Sequence, residues 1–178
     1  MNIPEQQVRR WLEQVVIGLN LCPFAATPYR RKQILITTSG ATDEEALLGD
    51  LQKELKHIDR LPATQLETTL LVIPHLLADF DDYNQFLDLA EALLGAGGWV
   101  GDYQLASFHP HYRFEGTEPD DPGNLTNRSP YPILHILREA SLERILANHP
   151  DPDAIPRRNI HRMESLSAEQ RQALFPYL

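Results

Sequence analysis

"SPYPILHILREASLERILA" occupies residues 129–147, and its reading decides how many strands the chain contains. The stretch reads as one helix that starts near Pro130 and runs to about Ala147. Ser129 suits the capping position, where a side-chain oxygen accepts from a free backbone N–H. Pro130 and Pro132 are tolerable only in a first turn, before the helical ladder needs the N–H groups they lack. With this stretch helical, every strand must lie upstream of it.

Three strands are legible there. "QILITT" (33–38) and "TTLLVIP" (68–74) are short apolar runs rich in branched side chains, as buried strands are. "YQLASF" (103–108) alternates more, which suits an edge or a place near solvent. Helices separate them. Val8, Trp11, Leu12, Val15, Val16 and Leu19 form one apolar stripe at helical spacing. Pro4 fits its first turn and Pro23 stops it. A second helix runs from Asp43 to Ile58, and a third from Phe80 to Leu94 ends at "GAGG" (95–98). Further on, "HPDPDAIP" (149–156) is a turn cluster and Pro156 to about Ser165 is helical. Ser167 and Gln170 have capping-box spacing for a last short helix. The fold class is therefore α/β: a small sheet of about three mostly parallel strands, helices packed on it, and extra C-terminal helices. The alternative is a ferredoxin-like α+β sandwich, which needs one more strand. A length of 178 residues suits a single domain, 1–178.

A net charge of −9 argues against a general nucleic-acid binder, which must neutralise phosphates. No apolar run is long enough to span a membrane, and "MNIPEQQVRRWLEQ" lacks the apolar core of a signal peptide. One cysteine, Cys22, excludes an intramolecular disulfide framework and fits a reducing cytoplasm. The Asn-x-Thr at Asn124 reads as a chance glycosylation match.

In an open α/β sheet, ligands bind beyond the carboxyl ends of the strands. Three segments leave those ends: "TSGATD", "PHL" with His75, and "HPHYRFEG". The last opens a long polar stretch, 108–132, with no helical or strand periodicity, and such stretches in compact domains are usually functional or disordered. His109 and His111 are candidates for acid/base catalysis, because histidine titrates near neutral pH. With His75 they are also candidate metal ligands. Arg128 and Ser129, read at a helix N-terminus, suit an anion through free N–H groups and a guanidinium fork. Arg113 reaches the same place from the other end of the loop. His135 and Arg138 follow on one helix face, which adds Arg138 to the substrate-binding set. Asp120, Asp121 and Glu115 are available to orient a histidine or to hold a divalent ion, and Asp120 or Asp121 to pair with Arg128. Cys22 reads as a buried apolar residue. Phosphate-loop, dinucleotide-binding, zinc-protease and nucleophile-elbow motifs are absent from the sequence.

Four segments are familiar together. "GLNLCPFA" (18–25), "FHPHYRFEG" (108–116), "NRSPYPILHILRE" (127–139) and "IPRRNIHRM" (155–163) resemble one bacterial family, a domain of unknown function, over nearly the whole chain. The resemblance implies a bacterial, cytoplasmic, single-domain protein and supplies no catalytic assignment.

Residue chemistry points first to an enzyme acting on a small anionic substrate, phosphate- or carboxylate-bearing, with histidine acid/base work and arginine anion binding. The competing class is a metal- or metabolite-binding module without turnover. A third is an interaction protein docking through its last helices. No pattern in the sequence names a cofactor, a substrate or an oligomeric state.

Overall fold

The computed structural model describes residues 2–178. Helix α1 (Ile3–Trp11) opens with a capping box between Asn2 and Glu5 and continues as a π-helical segment, Leu12–Ile17. Helix α2 (Ala26–Arg30) leads into strand β1 (Ile34–Thr38). Helix α3 (Glu44–Asp59), strand β2 (Thr68–Val72), helix α4 (Phe80–Gly97) and strand β3 (Tyr103–Phe108) follow. β1, α3, β2, α4 and β3 match the sequence reading closely, whereas the π-helical end of the first helix and the short α2 were not read. α4 stops where Gly98 takes φ 74°, a left-handed turn that glycine adopts without penalty.

The stretch 129–147 departs from its reading. It holds strand β4 (Ile133–Arg138) and only then helix α5 (Glu139–Ala147). Pro130 and Pro132 precede a strand, in the extended geometry that proline imposes on its neighbours. A 3₁₀ turn at Pro122–Asn127 precedes β4, and helices α6 (Ile155–Glu164) and α7 (Ala168–Leu174) close the chain. The expected capping box between Ser167 and Gln170 is formed.

The sheet thus has four strands in the order β1-β2-β4-β3. β1 and β2 pair in parallel, while β4 is antiparallel to both β2 and β3. The expectation of three mostly parallel strands is corrected to one parallel pair in a mostly antiparallel sheet. β1, β2 and β3 nevertheless share one direction, because β4 lies reversed between β2 and β3. β3 is at an edge, as its alternation suggested.

Both faces of the sheet are covered. On one side Leu47, Leu51, Leu55 and Ile58 of α3 and Tyr83, Phe86, Ala90 and Leu94 of α4 pack on Leu71, Leu134 and Ile136. On the other, Val8, Trp11, Leu12, Val15 and Val16 pack with Met163 and Phe175 on Ile36, Leu70, Val72 and Ile133. Side chains alternate between these layers along each strand, so Leu134 and Ile136 face one core while Ile133 and His135 face the other.

Two side chains hold β4 in place. At its start, the buried Tyr83 hydroxyl donates to the Ile133 carbonyl (2.7 Å) and accepts from the Phe108 N–H (3.2 Å). At its end, the Arg138 guanidinium donates to the carbonyls of Ile58 (2.7 Å), Leu61 (2.6 Å) and Leu66 (3.0 Å), and to the Tyr103 hydroxyl (3.2 Å). Ile58 and Leu61 lie at and beyond the C-terminal end of α3, where carbonyls lack helical partners and a cation is favourable.

Tyr83→Phe leaves a buried N–H and a buried carbonyl short of a partner. It should cost about 1–3 kcal/mol, read as a lower urea midpoint at unchanged slope. His135 is held neutral by desolvation, its pKa lowered from the usual 6.5 to about 4. The unfolded chain takes up a proton as pH falls through 6.5, but the folded chain does so only near 4. Stability should therefore fall across that window by roughly 3 kcal/mol, and His135→Phe should remove this part of the pH dependence in unfolding curves.

Candidate functional site

Because β1, β2 and β3 share a direction, the segments after them leave the same end of the sheet, and β4 begins there. At that end an open cleft of about 780 Å³ lies between the start of α4 and the long 108–132 stretch. Asp79, Phe80 and Asp81 form one wall; His111, Arg113, Asp120 and Arg128 form the other. The sequence reading brought His111, Arg113 and Arg128 together, and the structure places all three in this cleft.

The 108–132 stretch is irregular but heavily tied. The buried His109 is its pivot. Its Nδ1 accepts from the His111 N–H (2.9 Å), so Nε2 carries the proton and donates to the Leu77 carbonyl (3.0 Å). Its ring packs between Phe80 (5.4 Å) and Tyr83 (5.1 Å), and burial pulls its pKa down. Leu77 takes φ 57°, a left-handed geometry uncommon for a residue without a stabilising local bond. The His109 bond fixes the carbonyl of that residue.

A second pivot is Asn124, fully buried. Its Oδ1 accepts from the Phe114 N–H (3.0 Å) and the Thr117 hydroxyl (2.9 Å), and its Nδ2 donates to the Glu118 carbonyl (2.8 Å). The sequence reading dismissed Asn124 as a chance match. Its signal was local: "DDPGN" is turn chemistry, and a buried asparagine is well suited to bridging turn backbone.

Arg128 is half-buried. Its Nε donates to the Tyr112 carbonyl (3.2 Å) and its NH2 group to the Pro119 carbonyl (2.5 Å). Burial lowers its pKa, which marks a cation short of compensating charge. Among the described residues the single ion pair is His161 with Glu164, so neither Arg113 nor Arg128 has a carboxylate within 4.0 Å. Asp121 does not pair with Arg128; it accepts from the Gly123 N–H (2.8 Å). Asp79 is likewise engaged, capping α4 through the N–H groups of Asp81 (2.8 Å) and Asp82 (3.2 Å).

Other expectations are corrected. Arg128 and Ser129 do not stand at a helix N-terminus, because a strand follows them. Ser129 is buried, and its hydroxyl donates to the Tyr131 carbonyl (2.6 Å). Arg138 is at the opposite end of the sheet, tying β4 to α3. His135 is on β4, with its ring turned to the α1 side. His75 is exposed and outside the cleft lining. With both His109 nitrogens occupied, the proposed ligand set of His75, His109 and His111 does not assemble, and among the described residues no group of three His, Cys, Asp or Glu is arranged to hold a metal ion. "TSGATD" is also elsewhere: buried Ser39 donates to Asp50 (2.6 Å). Sequence reading missed Ala78–Asp81 as a cleft wall, although Asp79 directly before a helix at Phe80 is a cap signal.

The family described as Protein of unknown function (DUF1415) matches residues 4–173, and the chain belongs to it. No curated protein and no solved structure matches the chain significantly. Among the described residues no helix is long and apolar enough to cross a membrane.

Asn124→Ala should loosen the Tyr112–Asp121 segment while the sheet stays intact. Limited proteolysis should cut there about tenfold faster or more, as expected for about 1–3 kcal/mol of lost local stability, with far-UV circular dichroism unchanged.

Proposed function

We propose that this member of the family binds a small anionic metabolite in the α4–loop cleft and that His111 exchanges a proton with it. The observation that supports this is the pair of arginines, Arg113 and Arg128, facing an open cleft with no carboxylate at ion-pair distance among the described residues. Arg128 is presented rigidly, because two backbone carbonyls hold its guanidinium before any ligand arrives. A guanidinium fixed in this way recognises a planar carboxylate or a phosphate with little further ordering. Asp81 across the cleft and Asp120 on the arginine wall suit a ligand that carries hydroxyl or amino donors beside its anionic group.

The two histidines divide the work. His111 is exposed and makes no ring hydrogen bond among the described residues, so its imidazole is free to meet a ligand. His109 is a positioning residue: it holds the main chain of His111 through Nδ1 and the α4 approach through Leu77. A lone free cysteine and an acidic composition support a cytoplasmic setting with a small-molecule rather than a nucleic-acid partner.

Binding without turnover is the second reading. It is favoured because, among the described residues, no group hydrogen-bonds and orients the His111 ring, as a general base normally requires.

Calorimetry against phosphorylated and carboxylated metabolites tests both. Arg128→Gln and Arg113→Gln should each weaken the best ligand about tenfold or more, as expected for one charge-assisted contact, with the affinity falling at high salt. His111→Gln should bind within about twofold of wild type and lose product formation if a proton moves. Unchanged affinity in both arginine variants would remove the anion site; intact binding with no product from wild type would select the second reading.

A further inference from the structure

A second concavity lies on the other side of the sheet. It is a partly open pocket of about 220 Å³ between β3 and β4, the α1–π segment and α5. Its walls are Trp11, Leu12, Phe24, Phe108, Leu142 and Ile145. It opens because small Ala106 sits directly across from His135 in the β3–β4 register, and the helices above do not fill the space.

Of the polar groups in the lining, His135 is the one with an uncommitted acceptor beside the apolar rings. His135 Nε2 is 2.6 Å from the Thr68 hydroxyl oxygen. That hydroxyl donates its only proton to the Ile136 carbonyl (2.6 Å), so it must accept from His135 Nε2–H. The tautomer is thereby fixed, and Nδ1 keeps a lone pair with no partner among the described residues. The ring's residual exposure is to this cavity. Desolvation keeps it uncharged, and burial likewise keeps the Cys22 thiol at the cavity wall protonated. The charged groups that reach the lining do not favour an ion. Arg138 is saturated by three carbonyls and a hydroxyl, and Glu67 repels an anion.

Water is a poor occupant of so apolar a space, since it needs two to four polar partners, and the Thr68 hydroxyl is committed to His135 and Ile136 while the Ser141 hydroxyl accepts from Arg144 (3.4 Å). A dry cavity of about 150 Å³ with aliphatic and aromatic walls holds benzene, so this one has room for a few more heavy atoms. We propose that the cavity binds a neutral aromatic molecule of about the size of phenol or indole, which donates one hydrogen bond to His135 Nδ1. The rings of Trp11, Phe24 and Phe108 supply its walls. The proposal is independent of the anion site.

The test is calorimetry and thermal melting of the full chain with phenol, indole and toluene. Phenol and indole should bind saturably and raise Tm. Toluene, which lacks a donor, should bind about fivefold more weakly or worse, and His135→Phe should abolish that difference. Ala106→Leu, which fills the space, should lose all three ligands about thirtyfold or more while melting no lower than wild type. In the unmodified protein, indole should slow Cys22 alkylation by N-ethylmaleimide about tenfold. No saturable binding of any of the three to wild type, or indole binding and Cys22 protection that persist in Ala106→Leu, would overturn the proposal.

Discussion

The reversed central strand is the constraint on which the rest depends. β4 has neighbours on both edges and cores on both faces, so its backbone groups must be paired and its side chains covered at once. Tyr83 fixes its first residue to the end of β3, and Arg138 fixes its last to the end of α3. Because β3 lies at the edge and β4 beside it runs backwards, the chain must reverse at the end where β1 and β2 also finish. The long connection that makes this reversal is the outer wall of the cleft. The site therefore follows from the topology: a polar crossing had to be built there, and its backbone needed partners off the sheet. Asn124 and His109 supply those partners from inside.

That same strand is what the sequence concealed. An edge strand such as β3 alternates, and it was read with its observed bounds. A strand covered on both faces does not alternate, and "ILHIL" fits helical spacing as well as extended spacing. It then runs straight into α5 with no glycine or proline between them, so strand and helix merged into one apparent helix. The better evidence was the pair of prolines ahead of it, which favour extended geometry for the residues they follow. Once the helix was assumed, Arg128, Ser129 and Arg138 were assigned to its N-terminus and face; that assignment failed for all three, although Arg128 still lines the cleft. His111, Arg113 and Arg128 were grouped for a sounder reason. They lie in one short connection between elements whose ends had to be close, so their proximity survives the error in strand count.

His109 and His111 show a limit of spacing arguments. Two histidines separated by one residue look equivalent in sequence, and extended geometry would place both rings on one side. The turn after β3 instead sends one ring into the α4 core and the other into the cleft. Burial of the first is possible because each nitrogen finds a backbone partner, which a neutral imidazole can satisfy with one donor and one acceptor. His135 solves only half of that problem: it has a partner for its proton and, among the described residues, none for its lone pair.

The unpaired arginines have a comparable origin. The chain carries 25 acidic and 16 basic side chains, so partners for Arg113 and Arg128 are not scarce in composition. Two of the nearest are engaged with backbone, while Asp81 and Asp120 line the cleft beyond ion-pair distance. Asp79 must cap α4, whose first N–H groups have no helical acceptor, and Asp121 must hold the turn into the 3₁₀ segment. Each carboxylate that satisfies backbone in this way is one that does not neutralise a guanidinium. Arg128 in turn is oriented by two carbonyls, which fix its plane but cancel little of its charge. The loop's need for backbone partners and the two guanidiniums that lack an ion pair are therefore one arrangement, in which Asp79 and Asp121 stabilise the fold and the arginines are left to face a ligand.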